Sequence, residues 1–151
     1  MAPARRVSSG TRWERDIGYC RAIEVGGTIY VAGTVAVDGK GATVAPNDLR
    51  GQLRCCFDRI AAALAQLDCS LADVVKTTLF VTDIGDLGAV AAVHGPLFAA
   101  HPPVTTCVQV AALVRPDLVV EVEAIAVRGA AGRSTGGGDS HGGPTSPSAQ
   151  P

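Results

Sequence analysis

The sequence predicts an α+β fold: one mixed β-sheet with two helices on one of its faces. Segments with a hydrophobic period of two alternate with two segments whose apolar residues recur every three or four positions, in the order β-β-α-β-α-β-β. Hydrophobic residues make up 47% of the 151 and aromatics only 4%, so the core must be built of Val, Ala, Leu and Ile, which suits strands and closely packed helices. Mean hydropathy is positive, +0.26. With both helices on one face, the opposite sheet face is left apolar, and burial between subunits is the simplest way to cover it.

Residues 1–15 read as a flexible N-terminal arm, 16–128 as the folded domain and 129–151 as a disordered Gly/Ser/Pro tail. MAPARRVSSG has two arginines without an apolar run after them, so it is not a signal peptide. CRAIEV and TIYVAGTVAV flank Gly26-Gly27 as a hairpin, and Gly33 inside the second strand marks a bulge or the close approach of a ligand or backbone. Asn47 or Asp48 caps the first helix, whose apolar face is Leu49, Leu53, Phe57, Ile60, Leu64 and Leu67. Val74–Val81 is the next strand. A second helix begins after Asp83 or Asp86, with Leu87, Val90, His94, Leu97 and Phe98 on one face, and Gly95-Pro96 should kink or shorten it.

The stretch Thr105–Val127 reads as two strands, Thr105–Leu113 and Leu118–Val127, joined as a hairpin by the turn Arg115-Pro116-Asp117. Along the second, Glu121, Glu123, Ile125 and Val127 share one face, and Val120, Val122, Ala124 and Ala126 the other. Two carboxylates beside two apolar residues suit either a cleft wall or a polar outer face.

Several function classes are disfavoured. A formal net charge of −1 with no dense basic run gives no electrostatic footprint for nucleic acid. No segment needs a membrane to explain its apolar content. The five cysteines, Cys20, Cys55, Cys56, Cys69 and Cys107, are odd in number and fit no zinc spacing, which points to reduced thiols in the cytoplasm. Neither VAGTV nor GGTIY has the glycine spacing of a phosphate cradle, and no metal site or cofactor is implied.

Ile17-Gly18-Tyr19, VAGTV, KTTLFVTDI, PPVTTCVQVAAL and VEVEAIAV together resemble the RidA/YjgF family of reactive-intermediate (imine/enamine) deaminases, also labelled L-PSP endoribonucleases, from about Ile17 to Arg128. The resemblance implies a chorismate-mutase-like fold. It further implies a homotrimer whose sheets close into a central barrel, with small-molecule sites in the clefts between subunits. On this resemblance Glu121 is the carboxylate that orients the attacking water, and Tyr19 is the site's aromatic hydroxyl near the N-terminal strand. Ala32, Gly33, Ala91, Thr105, Thr106 and Cys107 are the candidate substrate-binding positions. Read from the residues alone, Glu121 is an interface hydrogen-bond acceptor, Tyr19 a packing residue, Cys107 a small buried hydrophobe and His94 a core or interface histidine.

Two positions depart from the family pattern. Thr105 stands where active imine deaminases carry the arginine that grips the substrate carboxylate, and Ala91 where they carry an asparagine. Losing one partner of a buried charge pair costs roughly 2–5 kcal/mol, which a neutral hydroxyl cannot recover. Arg115 and Arg21 are the cations that could reach the cleft instead. The expected function is therefore hydrolysis, deamination or tautomerisation of a small imine, enamine or carbonyl metabolite other than a simple 2-imino acid. A non-catalytic metabolite-binding trimer is the alternative, and an endoribonuclease is the weakest reading, since no phosphate-tracking stripe or stacking platform is present.

Overall fold

The computed structural model describes residues 3–132. Its elements are β1 (Arg5–Val7), α1 (Arg12–Ile17), β2 (Ala22–Val25), β3 (Thr28–Val35), α2 (Leu49–Ala65), β4 (Val74–Val81), α3 (Leu87–Phe98), β5 (Val104–Gln109) and β6 (Val120–Val127). The strands form one sheet in the order β1-β2-β3-β6-β4-β5. All neighbours are antiparallel except β4 and β5. The α+β class and mixed sheet are as the sequence predicts. The segment before residue 16 differs: β1 adds a strand to the sheet, and α1 follows it. Glu14 of α1, itself buried, accepts hydrogen bonds from the hydroxyls of Ser8 and Ser9 and from the Ser9 amide at 3.0 Å, which ties this segment down. The tail expected from residue 129 lies outside the described residues from 133 onward.

Local chemistry explains the elements. Gly26 and Gly27 have φ of 58° and 81°, the left-handed pair a tight hairpin between β2 and β3 requires. Asp48 caps α2 by accepting from the Arg50 amide, and Asp86 caps α3 by accepting from the Ala89 amide. Pro96 falls in the last turn of α3, which ends soon after at Phe98. The buried face of α2 contains Leu53, Phe57, Ile60 and Leu64, as expected, together with Cys56 and Gln52. On α3 the buried residues are Ala89, Val90, Val93 and Phe98, whereas Leu87 and Leu97 of the expected face are exposed. Both long helices cover the face that carries Val120, Val122, Ala124 and Ala126 of β6, all buried.

The hairpin expected between the last two strands does not form. β5 lies parallel to β4, with Thr105 beside Thr77 and Cys107 beside Leu79, because α3 returns the chain over the sheet as a crossover. β6 then fills the gap between β3 and β4. The connection is held by Gln52, which is fully buried on α2. Its amide nitrogen donates to the carbonyls of Ala45 at 3.0 Å and Asp117 at 2.7 Å, and its oxygen accepts from the Val119 amide at 2.8 Å. That clasp fixes where β6 begins, and hence where Glu121 sits.

Candidate active site

The site grows out of an irregularity in β3. Its pairing with β6 slips between Val31 and Thr34, leaving Ala32 and Gly33 in a bulge. Gly33 faces the Glu121 carboxylate so closely that a Cβ there would lie 2.1 Å from Oε1. The backbone carbonyl of Gly33 accepts from the Arg21 guanidinium at 2.6 Å, and the Ala32 amide donates to the Arg21 carbonyl at 3.0 Å. The Tyr19 ring lies 5.9 Å from the same guanidinium. Tyr19, Ala32, Gly33 and Glu121 are thus gathered around Arg21.

Burial pushes the Glu121 carboxyl above the ordinary carboxylate range. The Arg21 charge pulls it back down, and Glu123 adds a smaller upward push. A carboxylate in that state is a better base than an exposed one, while the nearby cation keeps an ionised form accessible. Arg21 is nine-tenths buried, and its Nε has no hydrogen-bond partner. Arg59, on α2, donates to the Val37 carbonyl just beyond the end of β3 and adds a second cation to the field around Arg21. Arg115, the other cation considered for the cleft, is committed elsewhere: it donates to the Gly41 carbonyl at 2.6 Å and pairs with Asp117.

The remaining candidates lie apart. Strand register places Thr105 and Cys107 on the helix-covered side of the sheet, with Thr77, Leu79 and Val122, and Glu121 on the opposite side, with Phe80 and Val35. Thr106 is on the Glu121 side, beside Thr78 and Glu123. Ala91 is exposed on α3. Burial pushes the Cys107 thiol up, so it is no ready nucleophile. Within one chain, Thr105 and Glu121 cannot face a common ligand. A site using both needs two copies.

Two participants were poorly legible in the sequence. His94, read as a core or interface histidine, is half-buried, with its ring 4.5 Å from that of Phe98 and edge-on to Phe57. Its Nε2 lies 3.0 Å from the Thr77 hydroxyl and 3.4 Å from that of Thr105. Thr77 itself reads in the sequence only as one more β-branched strand residue. On the helix-free face a groove of about 360 Å³ runs past Cys20, Ile23, Tyr30, Ala32, Glu123 and Ile125.

A family model described as Endoribonuclease L-PSP matches residues 12–128. The chain belongs to the RidA/YjgF (L-PSP) family. Among solved structures, this RidA/YjgF chain resembles a YjgF/YER057c/UK114 family member from Mycobacterium tuberculosis, with 41% identity, a TM-score of 0.75 and coverage of 83% of this chain and 99% of that one. A 2-iminobutanoate/2-iminopropanoate deaminase from Escherichia coli is 35% identical over 113 residues, 73% of this chain and 87% of the relative. A RutC family protein from Pyrococcus abyssi is 33% identical over 126 residues, 83% of this chain and 98% of the relative. The chorismate-mutase-like α+β fold follows from these neighbours. Among the described residues no helix is long and apolar enough to cross a membrane, and no cluster of His, Cys, Asp or Glu is placed to hold a metal ion.

Proposed function

We propose that this chain hydrolyses a small imine or enamine-derived metabolite in the cytoplasm, in a cleft between copies of a homotrimer, with Glu121 activating the water. The observation that carries the reading is the contact of Glu121 with Gly33, beside Arg21. A carboxylate raised by burial and held against a glycine is suited to taking a proton from water. The water oxygen bonds to the C=N carbon as its proton passes to Glu121. The nitrogen then receives that proton, and the carbinolamine collapses to a carbonyl compound and ammonia, leaving Glu121 as it began. Tyr19, next to Arg21, supplies a hydroxyl at the rim.

The substrate differs from the simple 2-imino acids named for the E. coli and mouse relatives, because position 105 offers a hydroxyl where a carboxylate would need a cation. Ammonia release from a panel of enzymatically generated imines, compared between wild type and Glu121→Gln, tests the reading. Light scattering on the same samples reads the trimer. Ligand binding without turnover on any imine would favour a non-catalytic, metabolite-binding role.

A further inference from the structure

Thr77, His94 and Thr105 form a hydrogen-bonded chain that ends at the edge strand of the sheet. The Thr77 hydroxyl is 3.0 Å from His94 Nε2 and 3.0 Å from the Thr105 hydroxyl, and Nε2 is 3.4 Å from Thr105. Thr77 has no exposed surface, so its hydroxyl must be satisfied by these two partners, giving one hydrogen bond and taking one. Thr105, in contrast, is exposed.

We infer that the Thr105 hydroxyl, oriented by Thr77 and His94, is a neutral subsite that takes an uncharged polar group of the ligand, such as a primary amide, in place of a carboxylate. The inference rests on the proposed cleft chemistry and names the substrate class for it. The chain has two polarities. If Nε2 carries the proton, it donates to Thr77, Thr77 donates to Thr105, and the Thr105 proton is free to point outward. If Nε2 is bare, the direction reverses and Thr105 presents lone pairs. Either way the outward group is a single uncharged hydroxyl. Burial lowers the His94 pKa, which keeps the imidazole neutral at pH 7. A carboxylate brought to the Thr105 hydroxyl would lose water for at most one neutral hydrogen bond, where a guanidinium would have met it with a charge. An amide, with both a donor and an acceptor, satisfies either polarity. His94 and Thr77 act through Thr105 and are positioning residues. The aromatic packing on Phe57 and Phe98 holds the imidazole in place.

Ligand-observed NMR titration of the full chain with pyruvamide and with pyruvate, stable carbonyl compounds of equal size, tests this. Pyruvamide should bind at least several-fold more tightly. Thr105→Val should remove that preference, Thr105→Ser should keep it, and His94→Phe, which preserves the ring packing, should weaken pyruvamide by about two- to tenfold, the worth of one neutral hydrogen bond. Circular dichroism establishes that each variant is folded. Pyruvate binding as tightly as pyruvamide in the wild type, or unchanged pyruvamide affinity in Thr105→Val, overturns the subsite. So does failure of both probes to bind a protein that still releases ammonia from an imine in a Glu121-dependent way. The expected preference in a protein inactive on every imine would support the subsite while removing the hydrolase reading.

Discussion

Gly33 and Glu121 make a contact that only glycine allows: a Cβ at position 33 would come within 2.1 Å of Glu121 Oε1 and 3.0 Å of its carboxyl carbon. The clash is with the tip of a flexible side chain, so Gly33→Ala should leave the fold intact and push the carboxylate aside. Thermal melting should change little. Imine turnover should fall by roughly 10²-fold, the cost of a misplaced catalytic group. Full activity in Gly33→Ala would show that the contact does not set the working position of Glu121.

Burial makes Glu121 hold its proton more tightly in the folded than in the unfolded chain. Its contribution to stability is therefore present at low pH and lost as pH rises through the folded pKa. Glu121→Gln should gain stability relative to wild type at neutral pH, with the difference closing on acidification. Activity should have the opposite dependence, since the proposed base works only when ionised. The acid limb of the rate profile should lie above the ordinary carboxylate range, and Glu121→Gln should lower turnover by roughly 10²–10⁴. An acid limb in the ordinary range would remove burial as the tuning device.

Gln52→Leu keeps the volume of a fully buried side chain and removes the bonds to Ala45, Asp117 and Val119. Leaving those backbone groups unpaired should cost roughly 2–4 kcal/mol, readable as a lower denaturant midpoint. A midpoint equal to wild type would mean the clasp is not what fixes the start of β6.

Glu24 on β2 receives two hydrogen bonds from Arg128, at 2.8 and 2.9 Å, and a third from Arg5 at 3.3 Å. The bonds from Arg128 hold its carboxyl below the usual range, outweighing desolvation, so its stabilisation is present at neutral pH and fades as pH falls through the depressed value. Glu24→Gln should lower the melting temperature at pH 7, with the gap to wild type narrowing in acid. A gap independent of pH would point to packing rather than charge.

Much of this was legible in the chain. Period-two alternation placed Glu121 opposite the buried Val120 and Val122, the glycine inside β3 marked a close approach, and the aspartates before both long helices signalled caps. These are local signals, carried by residues a few positions apart. Pairing β5 with β4 in parallel was not legible. It depends on how α3 crosses the sheet, whereas Arg115-Pro116-Asp117 imitates a hairpin turn. Gln52 gave no signal because its importance lies in backbone groups of distant segments, and Arg21 was legible only as a cation within reach of the cleft, not as the partner of the Gly33 carbonyl. The strand at Arg5–Val7 was not legible for a related reason: RRV is too short to show a period, and it pairs only with β2.

Position 105 carries the central claim, that this family member has moved away from 2-imino acids. The direct measurement couples a serine or threonine dehydratase to the protein and follows imine decay with ammonia release, in wild type and in Thr105→Arg. Wild type should accelerate decay weakly or not at all. Thr105→Arg should raise it, because Glu121, Gly33 and Tyr19 are already in place, though Ala91 and the neutral His94–Thr77 pair limit how well a guanidinium is aimed. Robust acceleration by the wild type, comparable to a deaminase that carries arginine at this position, would contradict the account.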